Sequence, residues 1–161
     1  IVPVWELSRD LSKQTFFPNR WMDGEKELTN LMVVASSDKN GNPSLNSNYG
    51  AKELDLFAPG MDIYSSYMGD TYQTGSGAGL SSATVAGVAA LVKAYYPNLT
   101  GSQIRNILLK TVTSRKGVEV EKGIIVNNKQ KQDLFLFEDL CLSGGILNAY
   151  QAIMAADKLT K

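Results

Sequence analysis

An α/β fold, in which helices cover a mainly parallel sheet, is what this sequence predicts, and three observations predict it. The first is the continuous apolar run Leu31–Ser37 (LMVVASS). A strand that is apolar without alternation suits burial on both faces, as in a parallel sheet covered by helices. The second is a stretch from about 80 to 96, most clearly Ser81–Tyr96, with Ala, Val, Gly and Leu on every face, which predicts a central helix buried all round. The third is the order strand, glycine-rich turn, helix across Leu54–Tyr96. A tight turn of that kind presents the first helical residues and their free N–H groups.

The remaining elements follow along the chain. Ile1–Trp5 reads as a short strand, and Ser8–Leu28 as a polar, turn-rich loop. After the apolar run, Asp38–Ser44 (DKNGNPS) carries turn chemistry at Asn40-Gly41 and Pro43. Leu54–Gly60 and Asp62–Met68 read as two short strands, bounded by Pro59-Gly60 and Gly69-Asp70. Pro97 cannot continue the central helix and ends it. Thr100 followed by Gln103 is a capping-box pattern, with Ile104, Ile107, Leu108 and Thr111 on one stripe of an amphipathic helix. Val118–Phe137 reads as a hairpin with a polar tip within Asn127–Gln132, and Asn148 as the cap of a helix from Ala149 to about Leu159. No repeat or linker divides the chain, so residues 1–161 read as part of one domain, with about 116–138 as a hairpin insertion.

Composition narrows the function. The 161 residues are 43% hydrophobic and 20% charged, in the range of one globular domain. Sixteen Lys and Arg balance sixteen Asp and Glu, so no net field predicts nucleic acid or an acidic membrane as partner. Cys141 is the only cysteine; it excludes an internal disulfide and a thiolate-rich metal site, and reads as a small apolar residue between Leu140 and Leu142. No charge-free apolar run reaches the roughly 18 residues of a membrane span, and the first residues lack an export pattern. The chain opens on a strand-like run without an initiator methionine, and so reads as a fragment or processed product. It also contains no histidine. A hydroxyl or thiol nucleophile usually needs an imidazole base, so these residues alone do not build a Ser-His-Asp or Cys-His site.

Several segments together resemble one family. Ser47–Gly50 (SNYG) with Leu54–Gly60 (LDLFAPG), Val85–Leu91 (VAGVAAL), Tyr95–Leu108 (YYPNLTGSQIRNIL) and Ser143–Ile153 (SGGILNAYQAI) resemble the C-terminal half of the subtilisin-like serine peptidase (subtilase) domain. The resemblance is specific over about residues 31–112 and looser at the last helix, and it is least in Val118–Phe137. It implies a three-layer α/β sandwich with a mainly parallel sheet, peptide-bond hydrolysis, and a triad in chain order Asp, His, Ser. Only the serine segment would lie in this chain, which accounts for the missing histidine. It also implies an extracytoplasmic location.

The family's serine signature, G-T-S-M-A-x-P, falls without gaps on Gly77–Ala83 (GAGLSSA). The nucleophile position is Gly79, with Ala78 for threonine, Leu80 for methionine and Ala83 for proline. Glycine has no Oγ, so no covalent acyl-enzyme can form there. Four departures in seven positions read as natural loss rather than a single engineered change. The family's oxyanion asparagine segment is placed on Pro3–Glu6, which would put the Glu6 carboxylate where a donor belongs and repel developing negative charge. Ser76, Ser81 and Ser82 are the nearby hydroxyls; a helix turns about 100° per residue, so Ser81 and Ser82 should point away from a site built on position 79.

Other candidates are weaker. No cofactor is evident; calcium is the one candidate ion, with oxygens of Asp38, Asn40 and Asn42 at alternate positions, but no distal Glu completes the pattern and a plain turn is the favoured reading. Phe17-Pro18 corresponds to an X-Pro bond that is often cis in the family. Trp21, Tyr64, Tyr67 and Tyr72 line a peptide groove or simply pack. Three functions remain open: an inactive subtilase half-domain, a peptide-binding or scaffolding module, and an active peptidase whose serine was replaced at position 79 in the laboratory. The expected partners are a polypeptide ligand or substrate, and either the N-terminal half of such a domain or a second copy.

Overall fold

The computed structural model describes residues 1–14, 16–22 and 26–161. Strand β1 (Val2–Pro3) opens the chain; Phe17-Pro18 follows in a loop and is cis. Two-residue strands β2 (Trp21–Met22) and β3 (Lys26–Glu27) then pair antiparallel. The apolar run delivers β4 (Val33–Ser37), every residue of which is buried, and Leu54–Gly60 delivers β5 (Leu56–Pro59). Strands β6 (Ile63–Tyr67) and β7 (Thr71–Gly75) form an antiparallel hairpin, of which only β6 was legible as a strand.

Helix α1 spans Ala78–Tyr95, two residues earlier than the sequence pattern suggested. Helix α2 (Gly101–Lys110) has the full capping box: the Gln103 N–H donates to Thr100 Oγ1 at 3.2 Å, and the Thr100 N–H donates to Gln103 Oε1 at 2.8 Å. Strand β8 (Thr113–Ser114) precedes the hairpin of β9 (Glu119–Val126) and β10 (Lys129–Leu136), whose tip is Asn127-Asn128 with φ 50° and 59°. Positive φ at both tip residues is the primed turn that matches strand twist, and Asn tolerates it. Strand β11 (Gly145–Ile146) leads to α3 (Ala149–Thr160), capped by Asn148 Oδ1, which accepts from the Gln151 N–H at 2.9 Å.

The central sheet has the order β1-β4-β5-β11-β8, parallel throughout except for the antiparallel pair β11·β8. Successive residues of β4 feed opposite faces, as the pleat requires. Val34 joins Leu56, Val85, Val92, Ile104, Leu108 and Ala152 beneath the three helices. Val33 and Ala35 join Phe57, Val120, Phe137 and Leu140 on the other face, under the β9–β10 hairpin and the loops. Two buried layers on one strand explain why its sequence does not alternate.

The expectation that α1 is buried all round needs correction. Its buried residues are Ala78, Ser81, Val85 and Val92, whereas Ala83, Ala86, Gly87, Ala90, Leu91 and Ala94 are exposed. Small apolar residues on every face give no periodic signal, and one of those faces meets no other part of the described chain. Among the described residues α1 is the one helix long and apolar enough to cross a membrane; here its other face is built into the core.

A buried charge cluster ties the sheet to its surroundings. Asp55, fully buried just before β5, accepts from the Val33 N–H at 2.7 Å and from Arg105 Nη2 at 2.8 Å, with Arg20 Nη2 at 3.1 Å. Glu27 Oε1 lies 3.3 Å from Arg105 and 3.6 Å from Arg20. Burial pushes the Asp55 carboxyl up, and Arg20, the Val33 N–H and Arg105 oppose that push.

Candidate functional site

The cleft at the start of α1 is set by a close approach of two backbones. Gly77 donates its N–H to the Gly60 carbonyl at 2.7 Å, and Gly60 donates to the Ser37 carbonyl at 3.1 Å. A Cβ on Gly60 would lie 1.9 Å from Ser81 Oγ and 2.9 Å from the Gly77 carbonyl, so only glycine lets β5 end this near α1. Gly77 is the helix N-cap with φ 152°, a conformation that favours glycine. It offers no capping side chain; the Leu80 N–H returns to the Gly77 carbonyl at 3.0 Å, and the Ala78 and Gly79 N–H groups make no hydrogen bond among the described residues.

Opposite them runs the segment after β1. Pro3–Leu7 and Gly77, Ala78 and Gly79 enclose an open cleft of about 410 Å³. Four of the residues singled out in the sequence, Glu6, Gly77, Ala78 and Gly79, thus come together. Glu6 Oε1 accepts from the buried Ser36 Oγ at 2.9 Å, and Glu6 Oε2 lies 3.7 Å from where a Gly77 Cβ would be. Gly79 is exposed, and a Cβ there would meet nothing within 4 Å; a serine side chain would have room.

The neighbouring hydroxyls are otherwise engaged. Ser81 Oγ is fully buried and donates to the Ala58 carbonyl at 2.9 Å, Ser82 Oγ donates to the Gly79 carbonyl at 2.8 Å, and Ser76 Oγ accepts from the Asp62 N–H at 2.9 Å. Each serves the backbone that shapes the turn, and none is turned into the cleft as a free nucleophile.

Beside the cleft, and sharing Trp5 and Leu7 with it, is a second pocket of about 140 Å³ that includes Leu11, Phe16 and Phe17. Sequence reasoning singled out other aromatics. Tyr64, Tyr67 and Tyr72 are 70%, 54% and 64% exposed on the β6–β7 hairpin, with Tyr64 and Tyr72 stacked 5.8 Å apart. Trp21 lines a separate pocket with Arg20 and Glu53. Trp5 is the aromatic at the cleft, and it was hidden inside what read as a plain strand.

A further residue sequence reasoning missed is Lys122 of β9. It is fully buried, its Nζ donates to the Leu45 carbonyl at 2.6 Å and sits 5.5 Å from the Tyr49 ring centroid. Burial pulls its ammonium down to about 7, with Glu6 opposing the shift. In the two-residue period of β9 Lys122 shares the inward face with Val120 and Ile124, and only its residue type argued against burial.

Asp38, Asn40 and Asn42 form a turn that satisfies itself. Asp38 Oδ1 accepts from the Asn40 and Asn42 N–H groups, both at 2.8 Å, and Oδ2 accepts from Asn42 Nδ2 at 3.1 Å. Burial pushes the Asp38 carboxyl up, and the bonds from Asn42, Asn40 and Gly41 together outweigh it and hold the carboxyl below its ordinary value. The three bonds from Asn40 and Asn42 close the turn on itself through one carboxylate. Among the described residues no group of three His, Cys, Asp or Glu could hold a metal.

Comparison with known proteins agrees with this geometry. Subtilisin BL from Lederbergia lenta is 41% identical over 98 residues, which is 61% of this chain and 36% of that protein. Subtilisin DY from Bacillus licheniformis is 42% identical over 84 residues, 52% of this chain and 30% of that protein. Among solved structures, the A-subunit of the AB5 toxin from E. coli superposes with a TM-score of 0.71 at 21% identity, covering 97% of this chain and 50% of that one. The prenylagaramide maturation protease PagA gives 0.58 at 27% identity, over 77% of this chain and 42% of that one. The chain therefore spans half or less of the length of each. The model of the subtilase family matches residues 13–133, most of the sequence, and the chain belongs to the subtilase family.

Proposed function

We propose that this half-domain binds a polypeptide segment at the α1 cleft without hydrolysing it. The observation that carries the reading is Gly79: the position aligned with the family's nucleophile has no side chain, yet the cleft around it is open and the Ala78 and Gly79 N–H groups are unpaired among the described residues. Peptide-bond hydrolysis by a serine enzyme needs an Oγ at that point and a donor for the oxyanion. Here the nearby hydroxyls serve the backbone and a carboxylate, Glu6, stands beside the would-be oxyanion. Incubating the intact native polypeptide with a mixture of capped peptides should give no cleavage products by mass spectrometry. Turnover that a serine-directed inhibitor abolishes would instead favour an active peptidase in which Gly79 is a laboratory replacement.

The same reading includes a protein partner. The uncovered face of α1 around Leu91, 44% exposed, adjoins a sheet whose β1 edge is unpaired among the described residues. A polypeptide that completes the sheet beside β1 and covers α1 is the occupant we propose, because the matched relatives are two to three times longer than their matched region. Sedimentation of the 161-residue chain should show self-association or aggregation through that face; a compact monomer would contradict the proposal. By the same family likeness we place the protein outside the cytoplasm.

A further inference from the structure

Resting on the peptide-binding reading, we propose that the cleft is selective for a segment in which a basic residue meets Glu6 and an adjacent large apolar residue fills the pocket beside it. A site that only stabilised an oxyanion would be cationic, from helix N–H groups alone. This one is not, because the Glu6 carboxylate is fixed in it by Ser36 Oγ, a fully buried hydroxyl of β4 that holds one carboxylate oxygen and leaves the other directed at the cleft beside Gly77. No cation among the described residues forms an ion pair with Glu6. Lys122, whose charge acts on it, keeps its Nζ buried against the Leu45 carbonyl.

The adjoining pocket assigns the neighbouring residue. Trp5 and Leu7 belong to both cavities, so a chain lying along them passes from one to the other. The second cavity is lined by Leu11, Phe16 and Phe17, and its one cation, Arg9, is held by Gln14 Oε1 at 2.8 Å. Arg9 repels a second cation there, whereas apolar side chains attract one of their own kind. The two cavities thus read different chemistry at neighbouring positions, and Gly79 adds the room a long basic side chain needs, since nothing lies within 4 Å of a Cβ placed on it.

The test uses the intact native polypeptide and three capped peptides, Ac-Ala-Phe-Lys-Ala-NH2, its norleucine analogue in place of lysine and its alanine analogue in place of phenylalanine. Binding is read by calorimetry and by amide shifts of Gly77, Ala78 and Gly79. The lysine peptide should bind about tenfold tighter than the norleucine one, as a charge-assisted contact in a partly shielded cleft supplies, and tighter than the alanine one. In Glu6→Gln, which keeps an oxygen for Ser36, the lysine preference should vanish while the norleucine affinity stays. Equal binding of lysine and norleucine peptides, of phenylalanine and alanine peptides, or a lysine preference surviving in Glu6→Gln would overturn the selectivity and leave peptide binding standing. Absence of any binding at millimolar peptide would overturn both.

Discussion

Asp55→Ala should lower the melting temperature by about 6–20 °C. Among the described residues its carboxylate is the only fully buried acceptor for Arg20 and Arg105, which are themselves 2% and 7% exposed. Removing it leaves two buried guanidiniums sharing Glu27, which is 39% exposed and no nearer than 3.3 Å. Breaking a buried ion pair from one side costs about 3–5 kcal/mol, because the remaining charge stays desolvated. For a chain of this size 1 kcal/mol moves the midpoint by about 2–4 °C. Removing the charges together should behave differently: Asp55→Leu combined with Arg20→Met and Arg105→Met should lose far less than Asp55→Ala. Calorimetric unfolding checks both, and an Asp55→Ala midpoint within 2 °C of the parent would refute the cluster's role.

Lys122→Met should stabilise the protein at neutral pH by about 1–3 kcal/mol. The folded ammonium is pulled down to about 7 from the ordinary lysine value by burial. The folded state therefore disfavours the charged form, and the cost is complete below pH 7. It is relieved as pH rises from 7 towards the unfolded lysine value near 10.5. A shift of this size corresponds to roughly 5 kcal/mol at most, less the lost contacts with Leu45 and Tyr49. The Leu45 carbonyl still accepts from Ser8 Oγ and the Gly123 N–H after the change. Denaturant unfolding from pH 6 to 10.5 should show the advantage of the methionine variant shrinking with pH. A variant less stable at every pH, by a constant amount, would show that the ammonium contributes more than its burial costs.

Much of the fold was legible because local signals and tertiary demands agree. The capping box at Thr100 and Gln103, the cap at Asn148 and the polar hairpin tip each settle within a few residues, and each was found where the sequence put it. Strands β8 and β11 were not, since two residues carry no period and exist only through their partners. The α1 pattern misled for a related reason: a surface of alanines and glycines does not say which face a neighbour covers. At the cleft, the glycines announced themselves through turn chemistry, and Glu6 came with them through the family resemblance. Asp55, Arg20 and Arg105 did not, because their meeting joins positions up to 85 residues apart. Lys122 and Ser36 were equally hidden, as polar residues in strands that otherwise read as half-buried or apolar.

The proposed lack of hydrolysis depends on there being no reactive hydroxyl at the start of α1, and covalent labelling reads that directly. Treating the intact native polypeptide with a fluorophosphonate and mapping adducts by mass spectrometry should show none on Ser76, Ser81 or Ser82, with or without peptide present. The replacement Gly79→Ser, whose side chain has open space, serves as the comparison for a hydroxyl in that cleft. A stoichiometric adduct on any of the three native serines, blocked by bound peptide, would contradict the non-hydrolytic reading.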